Sequence, residues 1–211
     1  MKQVIILFLF TISLWSNEFE EAVKDYKNGN YIKALNAFYV LAKNGDVQAE
    51  YNVGLMYANG KGVKADIVQA IEWYEKAANH KNAAAAYNLA VLYEAMENKD
   101  VHAYEKAKFW YEKAALEGLP QAQNNLAALY LDGKYISKDT KKAFELFKKA
   151  AAQGDVNAQI NVAIMYAWNK EITQDKMKAY ENFIHALDAG HHEAGKYLDQ
   201  LCKESPWVCK K

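Results

Sequence analysis

Apolar positions fall three and four apart through most of this chain, and the pattern itself returns every 36 or 37 residues. Blocks beginning at Ala49, Ala85, Ala122 and Ala158 each read alanine, two variable residues, asparagine, apolar, small, two apolar, tyrosine. The asparagines are Asn52, Asn88, Asn125 and Asn161, the small residues Gly54, Ala90, Ala127 and Ala163, and the tyrosines Tyr57, Tyr93, Tyr130 and Tyr166. A second pattern lies between the blocks: Ala70-Trp73-Tyr74-Ala77-Ala78, Ala107-Trp110-Tyr111-Ala114-Ala115 and Ala143-Leu146-Phe147-Ala150-Ala151. Spacing of three and four is the helical period. A fixed longer period marks a stacked array in which each unit buries its apolar face against its neighbours.

The unit predicted is a pair of antiparallel helices. First helices are expected near 47–58, 83–95, 120–131 and 156–168, and second helices near 66–79, 103–117, 139–152 and 175–188. A leading pair, 18–28 and 31–43, and a last helix, 191–203, complete the array. Asn44-Gly45-Asp46, Glu117-Gly118-Leu119-Pro120 and Gln153-Gly154-Asp155 place glycine where a helix end needs positive φ, and Asp46 and Asp155 can cap the helix that follows. The small residues permit close approach of paired helices, and Trp73 and Trp110 fill the space between units.

Residues 49–78 carry a resemblance that can be named. Asn52-Val53-Gly54-Leu55-Met56-Tyr57, then Asn59-Gly60-Lys61-Gly62-Val63, Asp66, Ala70 and Trp73-Tyr74-Glu75-Lys76-Ala77-Ala78, resemble the Sel1-like repeat, a relative of the tetratricopeptide repeat. Three further copies match in their helices and depart in the loop: Glu94-Ala95-Met96-Glu97, Gly133-Lys134-Tyr135-Ile136 and Trp168-Asn169-Lys170. The resemblance implies an all-α fold, a right-handed α-solenoid of antiparallel helix pairs. The expected organisation is a signal peptide at 1–16, a helix pair at 17–45, four repeats at 46–190, and a capping helix with a disulfide-closed tail at 191–211. The chain is also similar to exported, cysteine-rich Sel1-like proteins, some of which are described as β-lactamases and which carry a disulfide in each repeat. At the matching positions stand Ala78 with Ala86, Ala115 with Gln123 and Ala151 with Gln159, so packing must hold each unit instead.

The ends of the chain add a compartment. Lys2, an apolar run from Val4 to Trp15 and the small polar Ser16 have the form of a secretory signal, too short to span a bilayer comfortably, with cleavage expected after Ser16. Cys202 and Cys209 are the two cysteines, flanking Pro206, which is expected to stop any helix and turn the chain back. In an oxidising compartment they are expected to form a disulfide; their spacing matches neither redox nor zinc motifs. The expected location is periplasmic or secreted, with no stable membrane insertion once the signal is removed.

Charge excludes rather than assigns. Basic and acidic residues balance at 26 each, and every basic residue is lysine, which speaks against the arginine forks of phosphate recognition and against a nucleic-acid partner. Neither Ser137 nor Ser205 begins the Ser-x-x-Lys arrangement of penicillin-recognising enzymes. His191-His192-Glu193, expected at the start of the last helix, with His185, His102 and His80, do not converge as an i, i+4 ligand pair would, and zinc sites need more. No catalytic residue, metal or cofactor is expected.

One polar feature repeats. Asn52, Asn88, Asn125 and Asn161 hold one position in four first helices, and Gln48, Gln121 and Asn157 stand four residues before three of them, Ala84 being the exception. Tyr51 and Tyr87 flank the first two, and Asn124 and Ile160 take that place later. Each amide offers donor and acceptor, and the resemblance implies that first helices line a concave ligand-binding face. The row can bind an extended peptide, or it can bond backbone and neighbouring side chains and order the stack; both roles stand open. The function expected is an exported scaffold, monomeric, binding a protein or peptide on that face; a β-lactamase-like hydrolase is the alternative implied by the relatives.

Overall fold

The computed structural model describes residues 17–96 and 101–210, and all regular structure among them is helical. Helix α1 is helical over 17–27. It is followed by α2 (Tyr31–Lys43), α3 (Val47–Asn59), α4 (Ile67–Asn79), α5 (Ala83–Ala95), α6 (Val101–Leu116), α7 (Pro120–Asp132), α8 (Thr140–Ala152), α9 (Val156–Trp168), α10 (Lys176–Asp188), α11 (Ala194–Glu204) and α12 (Pro206–Cys209). This is the all-α solenoid architecture of antiparallel helix pairs. The signal expected at 1–16, and Glu97 of the second loop, lie outside the described residues. No described helix is long and apolar enough to cross a membrane.

Local chemistry sets the helix ends. Gly45, Gly118, Gly154 and Gly190 take φ between 88° and 89° after α2, α6, α8 and α10. Asp46 Oδ1 accepts the amide of Ala49 and Asp155 Oδ1 that of Ala158, both at 2.8 Å, satisfying donors a helix start leaves orphaned. Asp66, Asp139 and Asp175 cap α4, α8 and α10 in the same way. Leu119 has no capping side chain, and there Pro120 fills the first helical position, where a missing N–H costs nothing.

The chain divides into two compact units, Met1–Leu92 and Tyr93–Lys211. In the first, Ala22, Phe38, Leu41, Val53, Met56 and Trp73 form a continuous buried cluster. Gly54 is the close-approach position expected: a Cβ there would fall 2.7 Å from Cδ1 of Tyr74. In the second unit, Ile160, Ala163, Phe183, Leu201 and Val208 form the corresponding cluster. Cys202 and Cys209 are bonded, closing the tail, and Trp168 Nε1 donates to Glu204 at 2.7 Å, tying the end of α9 to α11.

Two expectations are corrected. The last long helix starts at Ala194 rather than 191, because Gly190 turns left-handed and His191 and His192 complete a turn before the helix begins. Helix α11 stops at Glu204, ahead of Pro206 as expected, but Pro206 then opens α12, a four-residue helix, since its fixed φ suits a first helical position.

The loops that depart from the first repeat keep one meeting point. Gly62, at φ 74°, lies against the backbone of Tyr31 and Ile32 at the start of α2. At the equivalent place in the third repeat, Tyr135 stacks on Tyr104 near the start of α6, ring centroids 4.1 Å apart. In the fourth, Glu171 pairs with Lys138 at 2.6 Å and sits by Thr140, the first residue of α8. The Lys138 ammonium, then Thr140, hold the Glu171 carboxyl below its ordinary range.

Candidate amide surface of the first helices

Each asparagine of the repeated row projects from the middle of a first helix and is half-buried. Its partner follows from the aromatic residue of the preceding second helix. That position is Phe38, Tyr74, Tyr111 or Phe147 in turn, and every one of these rings is buried. Where the ring bears a hydroxyl, the next asparagine binds it: Asn88 hydrogen-bonds Tyr74, and Asn125 Nδ2 donates to Tyr111 Oη at 3.1 Å. Burial pushes the Tyr74 hydroxyl far above its usual titration range, opposed by the Asn88 contact. Where the ring is phenylalanine, the asparagine turns elsewhere. Asn52 Nδ2 donates to Gln48 O of its own helix at 2.8 Å, and Asn161 Nδ2 donates to Asn124 Oδ1 at 3.0 Å.

In the second unit these bonds join into one chain. Asn161 donates to Asn124, Asn124 Nδ2 to Asn125 Oδ1 at 3.2 Å, Asn125 to Tyr111, and Tyr111 Oη to Glu94 Oε2 at 2.7 Å. Every donor points the same way, from α9 through α7 and α6 to a carboxylate near the end of α5. Gln121 and Asn157 are exposed on α7 and α9. In the first unit, Gln48 is exposed on α3, and Tyr51 packs against Tyr74 with centroids 5.8 Å apart; Tyr87 is half-buried on α5. The structure thus links Asn125 and Asn161 through Asn124 in the second unit, and in the first bonds Asn52 to Gln48 and Asn88 to Tyr74. Sequence reasoning missed Asn124, Tyr111 and Glu94 as members. The signal was present in the doubled Asn124-Asn125 and in the exchange of phenylalanine for tyrosine at one buried position.

A neighbouring polar cluster shows the contrast. Tyr130 Oη donates to Glu112 Oε1 at 2.8 Å, Lys142 Nζ donates to Tyr130 at 2.7 Å, and Lys142 lies 3.7 Å from Glu112. The tyrosine oxygen, more than any other group, favours the charged form of Lys142. Here the carboxylate has its own cation.

Two of the three position pairs that match the disulfides expected from the resemblance are hydrogen-bonded here. Gln123 Nε2 reaches Ala115 O at 3.3 Å, and Gln159 Nε2 reaches Ala151 O at 3.4 Å. A side-chain amide spans the gap between the two matching positions. Among the described residues no three histidine, cysteine or acidic side chains gather as a metal site would require. Ser137 lies exposed in the loop before α8, and Ser205 is buried ahead of Pro206.

An array of stacked helix pairs whose polar residues repeat in register is a scaffold suited to protein–protein interaction. The chain belongs to the Sel1 repeat family, whose model matches residues 47–82, 83–119, 120–155 and 156–191. It is similar in structure to a Sel1 repeat protein of Oxalobacter formigenes (TM-score 0.77, 27% identity, covering 89% of this chain and 78% of that one). It also resembles a protective antigen of uropathogenic Escherichia coli with an SLR fold (TM-score 0.82, 25% identity, 90% of this chain and 42% of that one). Among curated relatives, the rat DAP3-binding cell death enhancer 1 is 34% identical over 61 residues, 29% of this chain. The chain spans only 12% and 13% of the lengths of the two curated relatives it matches.

Proposed function

We propose that this protein is an exported scaffold that holds a polypeptide partner along the amide-bearing surface of its first helices, acting as a monomer without a cofactor. The observation that carries this reading is the half-buried row Asn125–Asn124–Asn161, whose side chains are fixed by one another while Gln121 and Asn157 stand exposed on the same helices. Amides already held in one orientation lose little freedom when a ligand docks. A rat relative that shares a 61-residue stretch with this chain is named for binding DAP3. Export rests on the apolar run from Val4 to Trp15 and on the disulfide. No observation favours the hydrolase alternative.

Site-specific photo-crosslinking tests the reading. A crosslinker at Gln121 or Asn157 is expected to capture one defined partner from the cell envelope, whereas one at Glu145 on α8 is not. Equal capture from both surfaces, or none from the first helices, overturns it. Gln121→Ala with Asn157→Ala is the matching binding variant: both side chains are exposed, so the melting temperature should stay within a few degrees.

A further inference from the structure

Resting on that reading, we infer that the partner segment carries a cationic group, a lysine or arginine side chain, that docks on Glu94. The chain of hydrogen bonds from Asn161 through Asn124, Asn125 and Tyr111 ends on one oxygen of the Glu94 carboxylate. Hydrogen bonds aligned head to tail polarise one another, and all four point their donors toward that negative end. A half-buried carboxylate in such a place normally has a cation beside it. Elsewhere in this protein it does: the half-buried Glu112 has Lys142 and the buried Asp25 has Lys33. Among the described residues no lysine or histidine pairs with Glu94. The cluster around Tyr130, at a different position of the repeat, has a tyrosine-to-glutamate bond of the same kind together with Lys142, which donates to the tyrosine oxygen. In the Glu94 cluster Asn125 Nδ2 donates to the tyrosine oxygen.

Geometry sets the length of the occupant. The row crosses from α9 through α7 to α5, and neighbouring packed helices lie about 10 Å apart. It therefore runs about 20 Å, which about six extended residues cover. The ligand so defined is an extended segment of about six residues, its backbone along Asn161, Asn124 and Asn125 and its basic side chain at the α5 end. A carboxylate in a partly desolvated place discriminates by charge more sharply than an exposed one, so the cation supplies register as well as attraction.

Selection from a random ten-residue peptide library against the full chain, and against Glu94→Gln, tests this. Glutamine keeps a carbonyl to accept from Tyr111, so the fold should be retained; circular dichroism and the melting temperature confirm it. Peptides selected on the native chain are expected to share one lysine or arginine at a fixed position. Replacing that residue by norleucine, or Glu94 by Gln, should each weaken binding tenfold or more, and the two together no further. Tyr111→Phe, which breaks the chain before the carboxylate, should weaken binding by a smaller factor. Peptides that lose affinity on Gln121→Ala with Asn157→Ala but share no basic residue would overturn the cation on Glu94 and leave the polypeptide reading standing. Selected peptides indifferent to both sets of variants, or no enrichment at all, would overturn both.

Discussion

In the first repeat, residues 47–82, the buried Glu50 meets His80 at 2.9 Å across 30 positions of chain; in the third, residues 120–155, Gln153 donates to Gln123 at the same distance and separation. The same correspondence runs through both repeats. Gly62 lies on the backbone of Tyr31, and its counterpart Tyr135 stacks on Tyr104. Tyr74 is bonded by Asn88, while Phe147 leaves Asn161 to bond Asn124. Lys81 takes the left-handed turn position that Gly154 fills in the third repeat. The backbone of the repeat decides which positions meet, and the residue types settle each meeting as a pair. A substitution is therefore judged by its partner, and a residue consistent with one repeat can be wrong in another.

Gly62→Ala should be the most damaging test. The position needs φ of 74°, and a Cβ there would lie 2.6 Å from C and O of Tyr31. Backbone atoms cannot yield as a flexible side chain does. Left-handed strain of about 1 kcal/mol and overpacking of about 1–3 kcal/mol together give an expected loss of about 3 kcal/mol, read by denaturant unfolding. The counterpart Tyr135→Gly removes a ring stack and strains nothing, so a loss of about 1–2 kcal/mol is expected. Equal losses in the two repeats would show that the loops do not differ as described.

His80→Ala comes next. The Glu50 side chain is 5% exposed and His80 54%, so the variant strands a buried carboxylate while the lost partner sat half in water. A cost of about 2 kcal/mol is expected. Glu50→Gln with His80→Gln rebuilds the pair of the third repeat and should recover most of it. A double-mutant cycle gives the coupling; simple additivity would break the equivalence of the two pairs.

How much of this was legible in the sequence divides along the same line. The helices, the left-handed glycines at Gly45, Gly118 and Gly154 and the caps at Asp46 and Asp155 are local features, and each could be read from adjacent residues. The disulfide between Cys202 and Cys209 was legible because the chain offers one pairing. Helix α12 was not, because proline was weighed as a breaker and not as a first helical residue. The asparagine row was visible as a pattern, but its bonds depend on residues 14 or 37 positions away, Tyr111 and Asn124. Glu94 escaped notice because its partner Tyr111 lies 17 residues on, in the next helix, and a single glutamate has no signature.

Tyr74→Phe tests the pairing rule at smaller cost. Asn88 is half-buried and can exchange the lost hydroxyl for water, so a loss of about 1 kcal/mol is expected. The reciprocal Phe147→Tyr offers Asn161 the hydroxyl its counterparts use. The side-chain amide resonances of Asn161 should move as it leaves Asn124, with stability changing by less than about 1.5 kcal/mol. Unmoved resonances would mean that Asn124, and not the missing hydroxyl, dictates where Asn161 turns.

The smallest effect has the opposite sign. Among the described residues Lys81 is the only non-glycine with positive φ, at 65°, in the turn where Gly45, Gly118, Gly154 and Gly190 stand after other second helices. Two terms compete in Lys81→Gly. Glycine removes the clash of Cβ with the following carbonyl, about 1–2 kcal/mol, and adds unfolded-state entropy, about 0.5–1 kcal/mol. The first is the larger, so a gain of about 0.5–1 kcal/mol is expected, measured as a rise in melting temperature, and Gly154→Lys should lose a similar amount. Should Lys81→Gly destabilise instead, the lysine side chain must contribute packing or charge that outweighs its backbone strain, and this turn of the first repeat would differ from that of the third in more than conformation.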